Sequence, residues 1–283
     1  MLKSQLALLY FAFKIATCSC MPEKEKGLEN YRGKSKITKI GKLDQQVDES
    51  SGLAKAENNA YWTHNDSGGS NKLFKINNRG HIVDSLEVLK ARNIDWEELA
   101  KDDKGNIYIG DFGNNGNSRT DLVIYKVNNT KTEEIRFKYE DQNAFPALKK
   151  NFDCEAFFWF NGKLHLFSKS REENNRVTKH YILSDTAGSY SISPKNEFPI
   201  EQQVTAADIS PDKQSFILLT YGKLIFFGIE NETIDFNNPL ACIKTKRKQT
   251  EAVIFETNES ILFTNEQREL FRIKLDHKVV LNN

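Results

Sequence analysis

From about residue 35 onward, apolar and polar residues alternate in short runs, and the spacing expected of an amphipathic helix is almost absent. Candidate strands are Tyr61 to His64, Lys72 to Ile76, Asn106 to Gly110, Leu122 to Val127, Lys163 to Ser168, Ser215 to Thr220, Leu224 to Gly228, Ser260 to Thr264 and Leu270 to Leu275. Each is rich in Ile, Leu, Phe or Tyr and is bounded by Asn, Asp, Gly or Lys, the residues that favour turns. The single helix-like run is Ala144 to Lys150.

The strand pattern repeats. Five segments align as ESSGLA (49–54), DWEELA (95–100), DCEAFF (153–158), TAADIS (205–210) and QTEAVI (249–254), at intervals of about 50 residues, the size of one propeller blade. A second and a third strand follow each, as in NIYIGDF and LVIYKVN after the second motif. An outer strand fits after each of the first four units, but the fifth runs out of chain. The apolar segment Ile37 to Leu43, ahead of the first unit, supplies the missing strand and closes the ring, which removes exposed sheet edges. The expectation is an all-β fold, a β-propeller of five four-stranded blades closed by an N-terminal strand. The alternative is six blades, one of them degenerate between residues 111 and 152.

The first residues read differently. Met1-Leu2-Lys3, the apolar run Leu6 to Phe13 and the segment Ile15-Ala16-Thr17-Cys18 resemble a short secretory signal ending in a bacterial lipobox, with Cys18 as the lipidated residue and Cys20 as a second frame. The run is too short for a bilayer span, which takes about 20 apolar residues. The expected organisation is a signal peptide over 1–20, a polar tether over 21–35 and the propeller over 36–283. The place is the bacterial cell envelope, periplasmic or surface-exposed, or the secreted fraction. Any membrane contact is through the lipid. Cys154 and Cys242 sit in apolar segments and read as buried small hydrophobes, and no Cys/His spacing suggests zinc. Forty basic against 39 acidic residues leave a net charge of +1, so no field favours nucleic acid, and a monomer is expected.

Candidate chemistry lies where the motifs converge. Residues i and i+2 of a strand share a face. Innermost strands therefore bring Glu49, Asp95, Asp153, Glu97, Glu155 and Glu251 to one channel mouth. Such a ring repels itself unless a cation, raised pKa values or basic neighbours compensate. Hard oxygen ligands without a His or Cys cluster suit Ca2+; the alternative is that the carboxylates fix turns by accepting backbone N–H bonds. The ends of the second strands add His64, Asn65 and Asp66, then Asp111, Lys169, Arg171, Tyr221 and Glu266. Among these, His64, Asp66 and Asp111 are the candidates to activate water. Asn65, Lys169, Arg171, Tyr221 and Glu266 are the candidates to contact a ligand.

WTHNDSG (62–68), DWEELA (95–100), YIGDFGNN (108–115), IYKV (124–127), DCEAFF (153–158) and ADISPD (207–212) resemble a family of secreted or periplasmic bacterial propeller proteins, mostly uncharacterised, with WTHNDSG, DWEDIA and YIGDIGDN motifs. The likeness spans most of residues 48–275. It is more distantly similar to SdiA-regulated and esterase-like phytase propellers. Glu98, Phe112 and Asn114 stand where that pattern has Asp, Ile and Asp. The resemblance implies a propeller in the cell envelope and no settled reaction. Two functions are expected: a module that binds a small molecule, glycan or protein partner at the channel mouth, or a calcium-dependent hydrolase of the lactonase or phosphoesterase kind.

Overall fold

The computed structural model describes residues 20, 36–128, 131–245 and 249–275. The described residues form 21 strands and no helix. The run 144–150 is a string of bends, since about two turns containing Pro146 are too short to hold a helix.

Five antiparallel sheets make five blades. Blade 1 holds β2 (Ser50–Lys55), β3 (Tyr61–Asn65), β4 (Lys72–Ile76) and β5 (Ile82–Glu87). Blade 2 holds β6 (Trp96–Lys101), β7 (Ile107–Asp111), β8 (Val123–Asn128) and β9 (Lys131–Tyr139). Blade 3 comprises β10 (Asp153–Phe160), β11 (Lys163–Lys169), β12 (Val177–Ser184) and β14 (Pro194–Pro199). Its β13 (Gly188–Ile192) crosses to blade 2 and pairs in parallel with β9 as a fifth strand. Blade 4 comprises β15 (Val204–Ile209), β16 (Ser215–Thr220), β17 (Lys223–Gly228) and β18 (Pro239–Lys244). Blade 5 has β19 (Thr250–Thr257), β20 (Ser260–Asn265) and β21 (Glu269–Lys274) from the end of the chain and β1 (Lys36–Lys42) from its start. The N-terminal strand thus closes the ring as expected. The six-blade alternative does not hold, because residues 111–152 carry only β8, β9 and their connections.

The inner strands touch in the order β2, β6, β10, β15, β19 and back to β2, so the ring is closed. Apolar layers between blades hold it, including Phe167 of blade 3 stacked on Phe216 of blade 4 at 5.8 Å and Phe112, just after β7 of blade 2, edge-on to Phe157 of blade 3 at 5.3 Å. One correction concerns the cysteines. Cys20 and Cys242 form a disulfide, so Cys242 is no free thiol, and residue 20 is bonded to the outer strand of blade 4; Cys154 is free and buried. The lipidation expected at Cys18 lies outside the described residues.

Every inner strand carries one extra residue at the same place, where its pairing with the next strand shifts: Ser51, Glu97, Glu155, Thr205 and Glu251. A bulge re-aims its residue. The common position corrects the alignment of the fourth motif by two residues. Gln203 and Thr205, rather than Thr205 and Ala207, correspond to Asp95 and Glu97, and Thr205 donates to the Thr250 carbonyl.

The next position is Gly52, Glu98, Ala156, Ala206 and Ala252 around the ring. Four small residues leave the axis open, and the side chain of Glu98 fills it. One carboxyl oxygen accepts from Leu53 N–H of blade 1 at 3.2 Å and from the N–H of its chain neighbour Leu99 at 2.9 Å. Its second oxygen is buried without a partner among the described residues, and burial raises its pKa well above the carboxylate range. A Cβ on Gly52 would lie 2.6 Å from Leu99 N and 2.8 Å from His64 Nε2. Gly52→Ala is therefore expected to destabilise by about 1–3 kcal/mol, read as a lowered urea midpoint.

Candidate functional site

Four of the five bulged residues, Ser51, Glu97, Glu155 and Glu251, open into a basin of about 390 Å³. Blade 1 contributes Asp48, Glu49 and Asp66; blade 2 Glu97 and Asn115; blade 3 Glu155, Lys169 and Arg171; blade 4 Tyr221; blade 5 Glu251 and Glu266. Asp48 and Asn115 were missed in the sequence, where nothing but their closeness to the motifs marks them.

Two ends of the basin differ electrostatically. On blade 3, Lys169 Nζ lies 2.5 Å from Glu155, and Arg171 donates to Asp153 at 2.6 Å and to Glu155 at 3.2 Å. Lys169 also donates to the Tyr221 hydroxyl at 3.2 Å, which donates to Glu251 at 3.1 Å. Burial opposes the Lys169 charge, yet Glu155 beside it holds its pKa well above the ordinary lysine value. Burial pushes Glu155 up to about 8 against the pull of Lys169. The two cations expected to hold an anionic ligand thus already face carboxylates of the chain.

At the other end Asp66, Asp95 and Glu97 bring one carboxylate oxygen each to within 4.8 Å of one another, and a second such group, Glu97 with Asp153 and Glu155, shares Glu97. Glu97 is 3% exposed and makes no hydrogen bond or ion pair to a described residue. Burial, then Glu155 and Asp66, raises its pKa well above the ordinary value. Burial and Asp66 push Asp95 up to about 6. Gly113 makes the room: a Cβ there would lie 2.1 Å from Glu97 Oε1 and 2.4 Å from Asp95 Oδ2. An all-carboxylate donor set is what a hard cation of the calcium kind takes. Of the six carboxylates expected to bind metal, Asp95, Glu97, Asp153 and Glu155 meet in these groups. Glu49 and Glu251 line the basin outside them. Asp66, expected to activate water, joins them instead.

His64, Asn65 and Asp111 do not line the basin; nor do Asp95 and Asp153, which lie behind its wall against the lining carboxylates Glu97 and Glu155. His64 is fully buried edge-on against Trp96, its Nδ1–H donating to the Asn65 carbonyl at 2.9 Å, and burial lowers its pKa to about 4. Strand alternation turns it away from the axis. Asn65 spends its amide on turn carbonyls and N–H groups, donating to Gln46 O at 2.8 Å. Asp111 is fully buried and bonded to the backbone of Ile94 and Asp95 and to Arg119. Glu266 and Tyr221 do reach the basin, where Glu266 accepts from the Gln249 amide.

The fold is a five-bladed β-propeller. No family model matches the chain, and no curated protein matches it. Among solved structures it is similar to a gluconolactonase from Xanthomonas campestris, with 9% identity and a TM-score of 0.49 over 86% of this chain and 91% of that one. It is also similar to a PQQ-bound aldose sugar dehydrogenase from Streptomyces coelicolor, with 8% identity and a TM-score of 0.49 over 85% of this chain and 98% of that one.

Proposed function

We propose that this protein is a ligand-binding propeller of the bacterial cell envelope. Its axial basin holds a hard divalent cation, calcium in class, on Asp66, Asp95 and Glu97, and takes a small polar molecule, glycan or partner segment at the same mouth. The observation that carries this reading is Glu97: a nearly buried carboxylate beside two others, without a hydrogen-bond or ion-pair partner among the described residues, while Asp153 and Glu155 have theirs. Three side chains binding through one oxygen each supply three of the six to eight oxygens calcium favours, so positions stay open toward the basin for a ligand.

The test is elemental analysis of the purified chain with thermal unfolding in excess calcium and in excess chelator. A cation bound only by the folded state raises the midpoint. Calcium at one equivalent and a midpoint several degrees higher than in chelator are expected; no metal and identical melts would remove the reading.

A second reading, a cation-assisted hydrolase, is favoured by Glu155, whose pKa of about 8 suits a group that exchanges protons near neutrality. It shares Glu97 with the cation cluster as a near neighbour. Turnover of lactones or phosphoesters that falls at least a hundredfold in Glu155→Gln, with calcium affinity retained, would favour hydrolysis over binding alone.

A further inference from the structure

We infer that the Asp111–Arg119 ion pair, which lies outside the basin, is the positioning element of the cation site and sets Asp95 for coordination. This rests on the cation reading above. Asp111 closes β7, is fully buried, and receives three hydrogen bonds: from Asp95 N–H at 3.1 Å and Arg119 Nη2 at 3.0 Å on Oδ1, and from Ile94 N–H at 3.4 Å on Oδ2. The other side of the Asp95 peptide is held as well, because its carbonyl accepts from Gly113 N–H at 3.2 Å. Gly113 is in turn held by Arg119, whose Nη1 donates to the Gly113 carbonyl at 2.9 Å.

The four residues form a closed loop of contacts around Asp95. Its backbone is fixed at both N–H and C=O, and the wall against which its carboxylate and that of Glu97 rest is the Gly113 backbone. A displacement of that wall moves two of the three proposed ligands together.

The residue types follow from the geometry. Only a carboxylate accepts on both oxygens, so an amide at 111 would turn an N–H toward a backbone N–H. Only a guanidinium reaches Asp111 and the Gly113 carbonyl at once; a lysine keeps the charge but offers one nitrogen. Arg119 also offsets a buried negative charge that would otherwise add to the repulsion at Asp95 and Glu97.

The experiment is calcium titration calorimetry on the full chain, with Arg119→Lys, Asp111→Asn and, as the ligand control, Asp95→Asn. Unfolding midpoints are measured in chelator, and terbium luminescence lifetimes count the waters on a bound ion. Arg119→Lys is expected to bind calcium at least tenfold more weakly and to hold terbium with at least one more water, at a chelator midpoint close to wild type. A structural role alone would lower the midpoint and leave the hydration number unchanged. Wild-type affinity and hydration in Arg119→Lys overturn the inference, and this variant decides should Asp111→Asn fail to fold. Absence of calcium binding by the wild-type chain is a different result, and it removes the cation reading itself together with the inference built on it.

Discussion

At pH 9, above the Glu155 pKa of about 8, replacing Lys169 with methionine will destabilise the protein by about 3–5 kcal/mol, seen as a fall in the urea midpoint with little change in slope. The ammonium is 4% exposed, lies 2.5 Å from Glu155 and sits 5.2 Å from the centre of the Tyr221 ring. Removing it deprives Glu155 of its closest cation and the Tyr221 hydroxyl of a donor, leaving, among the described residues, Arg171 at 3.2 Å to face the buried carboxylate. The cost arises from breaking a pair rather than from the worth of the pair. Lys169→Met combined with Glu155→Leu is therefore expected to recover most of the loss, since an apolar replacement of both partners leaves no uncompensated charge. A single variant within about 1 kcal/mol of wild type would show that proton uptake by Glu155 absorbs the missing charge.

Above about pH 6.5, in chelator, stability will decrease as pH rises. Burial raises Asp208 to about 7 and Glu155 to about 8, and lifts Glu97, Glu98 and Glu251 well above the carboxylate range. A carboxyl whose folded pKa exceeds its unfolded value of about 4 contributes stability that is complete below that value and is lost as pH rises through the folded one. His64, His165 and His180 act oppositely, because burial lowers them to about 4, 3 and 4. Their contribution is complete above about 6.5 and is lost as pH falls, so the carboxyls act alone only on the alkaline side. Each fully buried carboxyl adds at most about 1.4 kcal/mol per pH unit within its own window.

The melting midpoint between pH 6.5 and 9 is thus expected to drop by several degrees in chelator and by less in calcium, which binds the ionised form. Glu98→Gln, which keeps the acceptor oxygen for Leu53 and Leu99 and removes the titrating proton, is expected to shallow the slope. A flat profile in chelator would mean that these carboxyls are solvated in the folded chain.

Much of the architecture was written in local pattern. Alternation over short runs, turn residues between them and a motif returning about every 50 residues specify four strands per unit and five units, because strand faces and turns depend on residues a few positions apart. The spare apolar strand at the start and the missing strand at the end point to each other by the same count, and β1 does pair with β21. The acidic character of the mouth was also legible, since Asp95, Glu97, Asp153 and Glu155 share one position of the repeat or the next but one.

Tertiary structure alone decided the rest. The bulge on each inner strand adds a residue that alternation cannot see, and so the fourth blade aligns at Gln203 and Thr205 rather than two residues later. Asp66 joins Asp95 and Glu97 although it comes from a different blade, and Glu98 of blade 2 bonds Leu53 of blade 1, because closing the ring makes neighbours of residues far apart in the chain. His64, one residue from the mouth in sequence, faces Trp96 between blades. Cys20 meets Cys242 across 222 residues, a pairing that no spacing announces. Local pattern sets which side chains leave a strand on which face; only the closed ring sets what they meet there.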